Sequence, residues 1–227
     1  MFKRKKKNQK GFSLIELTVA MTIMLILLSV VSTLINRAMG VRQRETRRAD
    51  ALVSVQAALN VISREVANSG FGLYNDAATR VANNGIVTAD SGANQIRVRT
   101  NMLNQGDKTN CENGVVDTAC LTDQPGEDVS YYLDAATQSI VRYDPKASPT
   151  TSVVVNRVSS LEFLYWNYDP SGVSPPTSST TPTTTTGRVE VTVKAQLEEI
   201  VGQVNPSDVT YKSEVTLRNA SYMLRQY

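Results

Sequence analysis

Three residues stand out by type and setting. Glu16 is a carboxylate inside an otherwise uncharged apolar stretch, and the thiols Cys111 and Cys120 enclose the residues ENGVVDTA. The sequence has no histidine, so a Ser-His-Asp triad, a Cys-His dyad and a His-rich zinc site are excluded by inventory, and two cysteines cannot complete a four-thiolate site. Around the thiols, Asp107, Glu112, Asp117, Asp123, Glu127 and Asp128 carry enough oxygen to ligate calcium. Their spacing is not that of an EF-hand, and a solvated acidic loop has the same composition. No Walker A sequence, no Gly-x-Gly-x-x-Gly after a strand and no aromatic-interleaved basic patch occurs. The expectation is a chain with no catalytic residues, no cofactor or resident metal, and no nucleic-acid partner, with calcium near the thiols as the alternative.

The formal net charge of +3 is concentrated at one end. Lys3, Arg4, Lys5, Lys6, Lys7 and Lys10 fall within residues 1–11, which hold no acid, and from Phe12 onward 18 Lys and Arg face 21 Asp and Glu. The basic character therefore belongs to a leader. At 227 residues and 41% hydrophobic, the chain has room for one ordinary domain and an appendage. The appendage is the stretch from Phe12 to Ile35, whose single charge is Glu16; from Leu17 to Asn36 no charge occurs, and 20 such residues rise about 30 Å as a helix, enough to cross a bilayer. The leader favours a cytoplasmic amino terminus, a bias weakened by Arg37, Arg42, Arg44, Arg47 and Arg48 just beyond the run. A cleaved secretory signal fits poorly, because the run is too long and no clean small-x-small site follows it. Glu16 then needs an account, since a charge at mid-bilayer costs roughly 3 kcal/mol even on lenient scales. Either it snorkels to a nearby interface or it has a partner.

The residues Lys10-Gly11-Phe12-Ser13-Leu14-Ile15-Glu16, with the basic leader before them and the apolar run behind, resemble the class III signal of type IV pilins and type II secretion pseudopilins. The resemblance implies that a prepilin peptidase cuts between Gly11 and Phe12 and methylates the new amine of Phe12. It also gives Glu16 its partner, the positive amine of Phe12 on a neighbouring subunit, an ion pair that offsets the burial of the carboxylate and sets the stagger of subunits in a filament. Gly11 suits a scissile position, because a residue without Cβ lets an enzyme approach the backbone closely.

Beyond the membrane segment the helix is expected to continue to about residue 70. Good helix formers dominate Arg42 to Asn68, no proline occurs before Pro125, and Gly70 and Gly72 supply the stop. Leu52, Val55, Leu59, Ile62 and Val66 form one apolar stripe, too short for a coiled-coil anchor. Gly40 is read as a tolerated helical glycine, with a hinge as the alternative. After Gly72 the pattern turns to short alternating runs. Strands are expected at Gln95–Arg99, at 128–133 and 139–143 as a hairpin, at 152–158, 161–168 and 188–197, and from Val209 to Arg218. The aromatic run from Leu161 to Tyr168, with the only Trp, reads as core on a central strand rather than a ligand platform. The Ser/Thr/Pro-rich stretch 171–187 reads as a flexible loop, with a glycosylated tip as the alternative. If the head is exported, Cys111 and Cys120 are expected to close a disulfide contributing about 2–3 kcal/mol.

The expected fold is α+β and pilin-like, a long N-terminal helix packed on an antiparallel sheet. Its parts are a cleaved leader 1–11, a transmembrane or filament-core helix 12–36, an amphipathic helix 37–70 and a β-rich head 71–227. The stretch from Ile62 to Leu73, with Val158 to Tyr168 and Val215 to Asn219, is similar to PilW-type minor pilins and J-type minor pseudopilins. This implies a minor subunit that initiates or caps a type IV pilus. Its partners would be the peptidase, other minor pilins, the major pilin, the inner-membrane assembly platform and membrane lipid. It would sit as a single-pass inner-membrane protein with its head periplasmic, then at the tip of the filament. A type II secretion pseudopilin is the nearest alternative, and a membrane-anchored periplasmic sensor or binding protein the more distant one.

Overall fold

A computed structural model of the chain describes residues 11–73, 83–102, 122–196 and 208–220. Residues 1–10 of the leader, both cysteines and the acids Asp107, Glu112 and Asp117 lie outside these residues, and the expected disulfide lies outside them too. The described chain forms two compact units, Met1–Arg47 and Arg48–Tyr227.

Helix α1 runs from Leu14 to Ala67, 54 residues, and passes through Gly40 without a break. In the first unit every side chain from Phe12 to Met39 is exposed, and α1 is long and apolar enough to cross a membrane. Its hydroxyls do not spoil that surface. Thr18, Ser29 and Thr33 donate to the carbonyls of Ile15, Ile26 and Val30 at 3.0, 2.8 and 2.7 Å, so each donor is satisfied within the helix, as an apolar surrounding requires.

In the second unit α1 buries Val55, Ala58, Leu59, Ile62 and Val66. Leu52, expected in the same stripe, is exposed instead, and Val55 is the first residue of the helix to enter the buried core. Ala58 takes a place in the stripe that the larger residues had seemed to define. The helix stops before Gly70 and Gly72, as expected.

The head is α+β with two antiparallel sheets rather than one. Strands β1 (Gln95–Arg99), β2 (Asp128–Asp134), β3 (Ser139–Tyr143) and β4 (Thr151–Asn156) are ordered β1-β2-β3-β4. Strands β5 (Val158–Asn167), β6 (Thr177–Ser179), β7 (Thr186–Ala195) and β8 (Val209–Thr216) are ordered β6-β5-β7-β8. The sheets part at Arg157, whose φ of +62° separates β4 from β5. The strand expected to end at Val158 therefore ends at Asn156, and Val158 opens the next one. Both sheets share one core with α1: Ile96, Val98, Tyr131 and Ile140 from the first, Leu161, Phe163, Tyr165 and Val191 from the second.

Two further expectations change. Phe163 and Tyr165 are core, but Trp166 points to the opposite face of β5, as period two demands, and lies under the Arg188 guanidinium at 4.3 Å from the ring centroid. The stretch 171–187 is not wholly a loop. Ser178 pairs with Trp166 in the β5–β6 ladder, and Thr186 is fully buried. Asn84 holds the turn that follows by donating to the carbonyls of Thr183 and Thr186 at 2.9 and 3.2 Å. Backbone pairing and one buried amide thus order a segment that has almost no apolar content.

A polar contact also fastens α1 to the first sheet. The Tyr131 hydroxyl donates to Glu65 Oε2 at 2.6 Å, and Arg142 Nε donates to both Glu65 oxygens at 3.1 and 3.2 Å. Burial, together with the negative charge of Glu65, holds the Tyr131 hydroxyl in its protonated form.

Candidate processing and assembly segment

Gly11, Phe12 and Ser13 precede α1 without regular secondary structure, and Phe12 is 90% exposed. A Cβ on Gly11 would meet nothing within 4 Å. The Gly11–Phe12 peptide bond therefore lies in irregular, open backbone immediately before a helix, the kind of backbone an endopeptidase can draw into a cleft.

Directly after Phe12 the sequence makes its own helix start. Ser13 and Glu16 have the Ser-x-x-Glu spacing of a capping box, with Ser13 at the N-cap and Glu16 at the third helical position. The Ser13 backbone N–H donates to Glu16 Oε2 at 3.0 Å, and Leu17 N–H donates to the Ser13 carbonyl at 3.1 Å. The carboxylate also sits in the first turn, where the helix dipole favours negative charge. Reading the sequence for an intersubunit partner or a snorkelling carboxylate missed this role, although the spacing itself signals it. Glu16 is satisfied in part by its own chain, and any amine it meets from another chain must share or displace that bond.

The acidic set near the thiols does not assemble into a site among the described residues. Asp128 accepts from Arg97 Nε and Nη2, each at 2.7 Å, and from Arg99 Nε at 3.0 Å. Burial by itself would raise the Asp128 carboxyl, but these two arginines outweigh it and hold the group below its ordinary range. Asp123 accepts from Gln124, and no group of three potential metal ligands occurs among the described residues. On the outer face of the second sheet, cross-strand charges pair with one another. Lys194 meets Glu162 at 3.2 Å and Lys212 meets Glu190 at 2.8 Å.

Residues 6–32 match the family described as the prokaryotic N-terminal methylation motif. The match takes in Gly11, Phe12, Ser13 and Glu16 with the first part of α1, and it covers the amino-terminal segment alone. No curated protein and no solved structure matches the chain. The chain thus carries a pilin-type N-terminal segment followed by an α+β head of pilin-like layout.

Proposed function

We propose that this chain is a pilin-like structural subunit, cut between Gly11 and Phe12 by a prepilin peptidase and methylated on the new Phe12 amine. Within that class we assign it to the minor pilins that initiate or cap a type IV pilus. The observation that carries the reading is the methylation motif at residues 6–32, which runs into a helix whose uncharged stretch from Leu17 to Asn36 is exposed throughout. Such a surface suits a bilayer and a bundle of like helices equally well. Moving between them exchanges one apolar surrounding for another, and Glu16 with the Phe12 amine adds the electrostatic register. The minor assignment rests on the size of the head and on the resemblance of the stretches from Ile62, Val158 and Val215.

The test is the intact mass and amino-terminal sequence of the protein recovered from a membrane fraction of its native host. A chain beginning at N-methylated Phe12 is the expected result. A chain still beginning at Met1 in a host with an active prepilin peptidase overturns the reading and leaves a membrane-anchored sensor as the better account. A secretion assay beside a piliation assay on a deletion strain then separates a pilus subunit from a type II secretion pseudopilin.

A further inference from the structure

The apolar run of α1 ends at Asn36, and four arginines follow within the first unit: Arg37, Arg42, Arg44 and Arg47, against the single acid Glu45. All four are exposed. This concentration of positive charge lies at the end of the run opposite the leader, so the leader cannot serve the same purpose.

We propose that these arginines, Arg37 and Arg42 foremost, form a collar that binds the phosphates of anionic lipid headgroups and so fixes the depth of the helix in the bilayer. The proposal rests on the reading of α1 as a membrane-crossing helix.

Three features point to lipid. The first is depth. With Leu17–Asn36 filling the hydrocarbon, Arg37 stands at its edge and Arg42 and Arg44 stand about 8 and 11 Å further out, while the headgroup layer is roughly 5–8 Å thick on each side. Helical side chains lean toward the N-terminus, which here means back toward the apolar run, so the long arginine stems return the outer guanidinium groups to the phosphate level.

The second is direction. At about 100° per residue, Arg42, Arg44 and Arg47 lie about 140°, 340° and 280° around the helix from Arg37. Arg37, Arg44 and Arg47 share an arc of about 80° and Arg42 stands across the axis from them, so a protein docked on one face would not meet both sides, whereas lipid surrounds the helix. The third is chemistry. Guanidinium groups donate two parallel hydrogen bonds to phosphate oxygens and remain charged at any accessible pH.

The full chain, reconstituted in phosphatidylcholine vesicles with spin-labelled phosphatidylglycerol or spin-labelled phosphatidylcholine, gives the relative association of the two lipids from the motionally restricted fraction. The expected preference for phosphatidylglycerol is about threefold, weakened when ionic strength is raised to about 1 M, where the Debye length is about 3 Å. The variant Arg37→Gln/Arg42→Gln should lose most of that preference, and the leader, common to both proteins, cannot produce the difference. An equal preference in wild type and variant overturns the collar, as does no preference at all. An unchanged lipid preference accompanied by lost cross-linking to partner subunits overturns it in favour of an acidic protein surface. An alkaline carbonate wash keeps the two readings apart. Retention of the protein in the vesicles with no lipid preference sinks the collar alone, whereas release of the protein sinks the membrane-crossing reading and the collar with it.

Discussion

Gly70 and Gly85 meet backbone to backbone: a Cβ on Gly85 would lie 2.0 Å from Gly70 N, and a Cβ on Gly70 would lie 2.0 Å from Asn83 O. Both have positive φ, +77° and +75°. Arg99 joins them, accepting from Gly70 N–H at 2.8 Å and donating to the Gly85 carbonyl at 2.7 Å. The end of the helix and the start of the first sheet are thus built on a contact that admits no side chain. Gly85→Ala should lower stability by about 3 kcal/mol or more, since left-handed strain and backbone overlap act together. Gly92→Ala, with open space at its Cβ, should stay within about 0.5 kcal/mol of wild type. Denaturant unfolding of the full chain in detergent, followed by fluorescence of the single Trp166, measures both.

Glu65 is the hinge pin between α1 and the first sheet. Glu65→Gln removes the nearer of the two carboxylates that meet Arg142, the other being Asp144 at 3.4 Å, and should cost about 2 kcal/mol, while Tyr131→Phe leaves the Arg142 pair intact and should cost about 1 kcal/mol. A double-mutant cycle should show coupling between the two positions, since they share one carboxylate. Strict additivity in the same unfolding assay would contradict the hydrogen bond.

Acid should loosen the head through Asp128. Its carboxyl is held below the ordinary value of 3.8, so the unfolded chain takes up the proton first as pH falls. The stabilisation is complete above about pH 4 and is lost as pH drops toward the folded-state value. Asp128→Asn should cost about 2 kcal/mol at neutral pH, because Arg97 and Arg99 lose the charged acceptor they share and Arg97 keeps only Asp90, and should flatten the acid limb of a stability profile taken from pH 6 to pH 2.5. An acid limb unchanged in the variant would show that other carboxylates carry it.

Processing and folding should separate at Gly11. Gly11→Val places its new carbons in open space and should leave the unfolding transition unmoved, yet block cleavage by crowding the scissile backbone. Immunoblot mobility of membrane fractions reads the second effect. Glu16→Gln should remain in the membrane and be cleaved, while its recovery in sheared filaments or in the minor-subunit complex falls by at least about tenfold. Normal recovery would remove Glu16 from the assembly step.

Where burial follows a simple period, the fold is legible in the sequence. The hairpin of β2 and β3 and the alternation of β7 are read almost residue for residue, because one side of each strand must be apolar. The helix is legible too, except at Leu52, whose spacing is right but whose opposing surface is missing; periodicity names a face without saying what stands across from it. The division into two sheets was not legible, since it turns on the left-handed backbone of Arg157, a conformation no pattern announces. Nor was β6, a strand of Thr and Ser that owes its order to the edge of β5. At the amino terminus the motif is plain and the cap is not, because Ser13 and Glu16 belong to a cleavage signal and to a helix N-cap at once.

Strand β8 and the residues just after it close the end of α1. Arg218 N–H donates to the Ala67 carbonyl at 3.1 Å, the Asn219 amide donates to the Ser69 carbonyl at 3.1 Å, and Ser213 meets Ser63 at 3.0 Å. Residues some 150 positions apart therefore complete each other. During synthesis α1 is made long before the strand that seals its end, and until β8 emerges the apolar stripe of α1 has only part of its cover. The helix end is thus closed by residues that leave the ribosome long after the helix itself. A product that stops short of Asn219 lacks these bonds and leaves the helix end open.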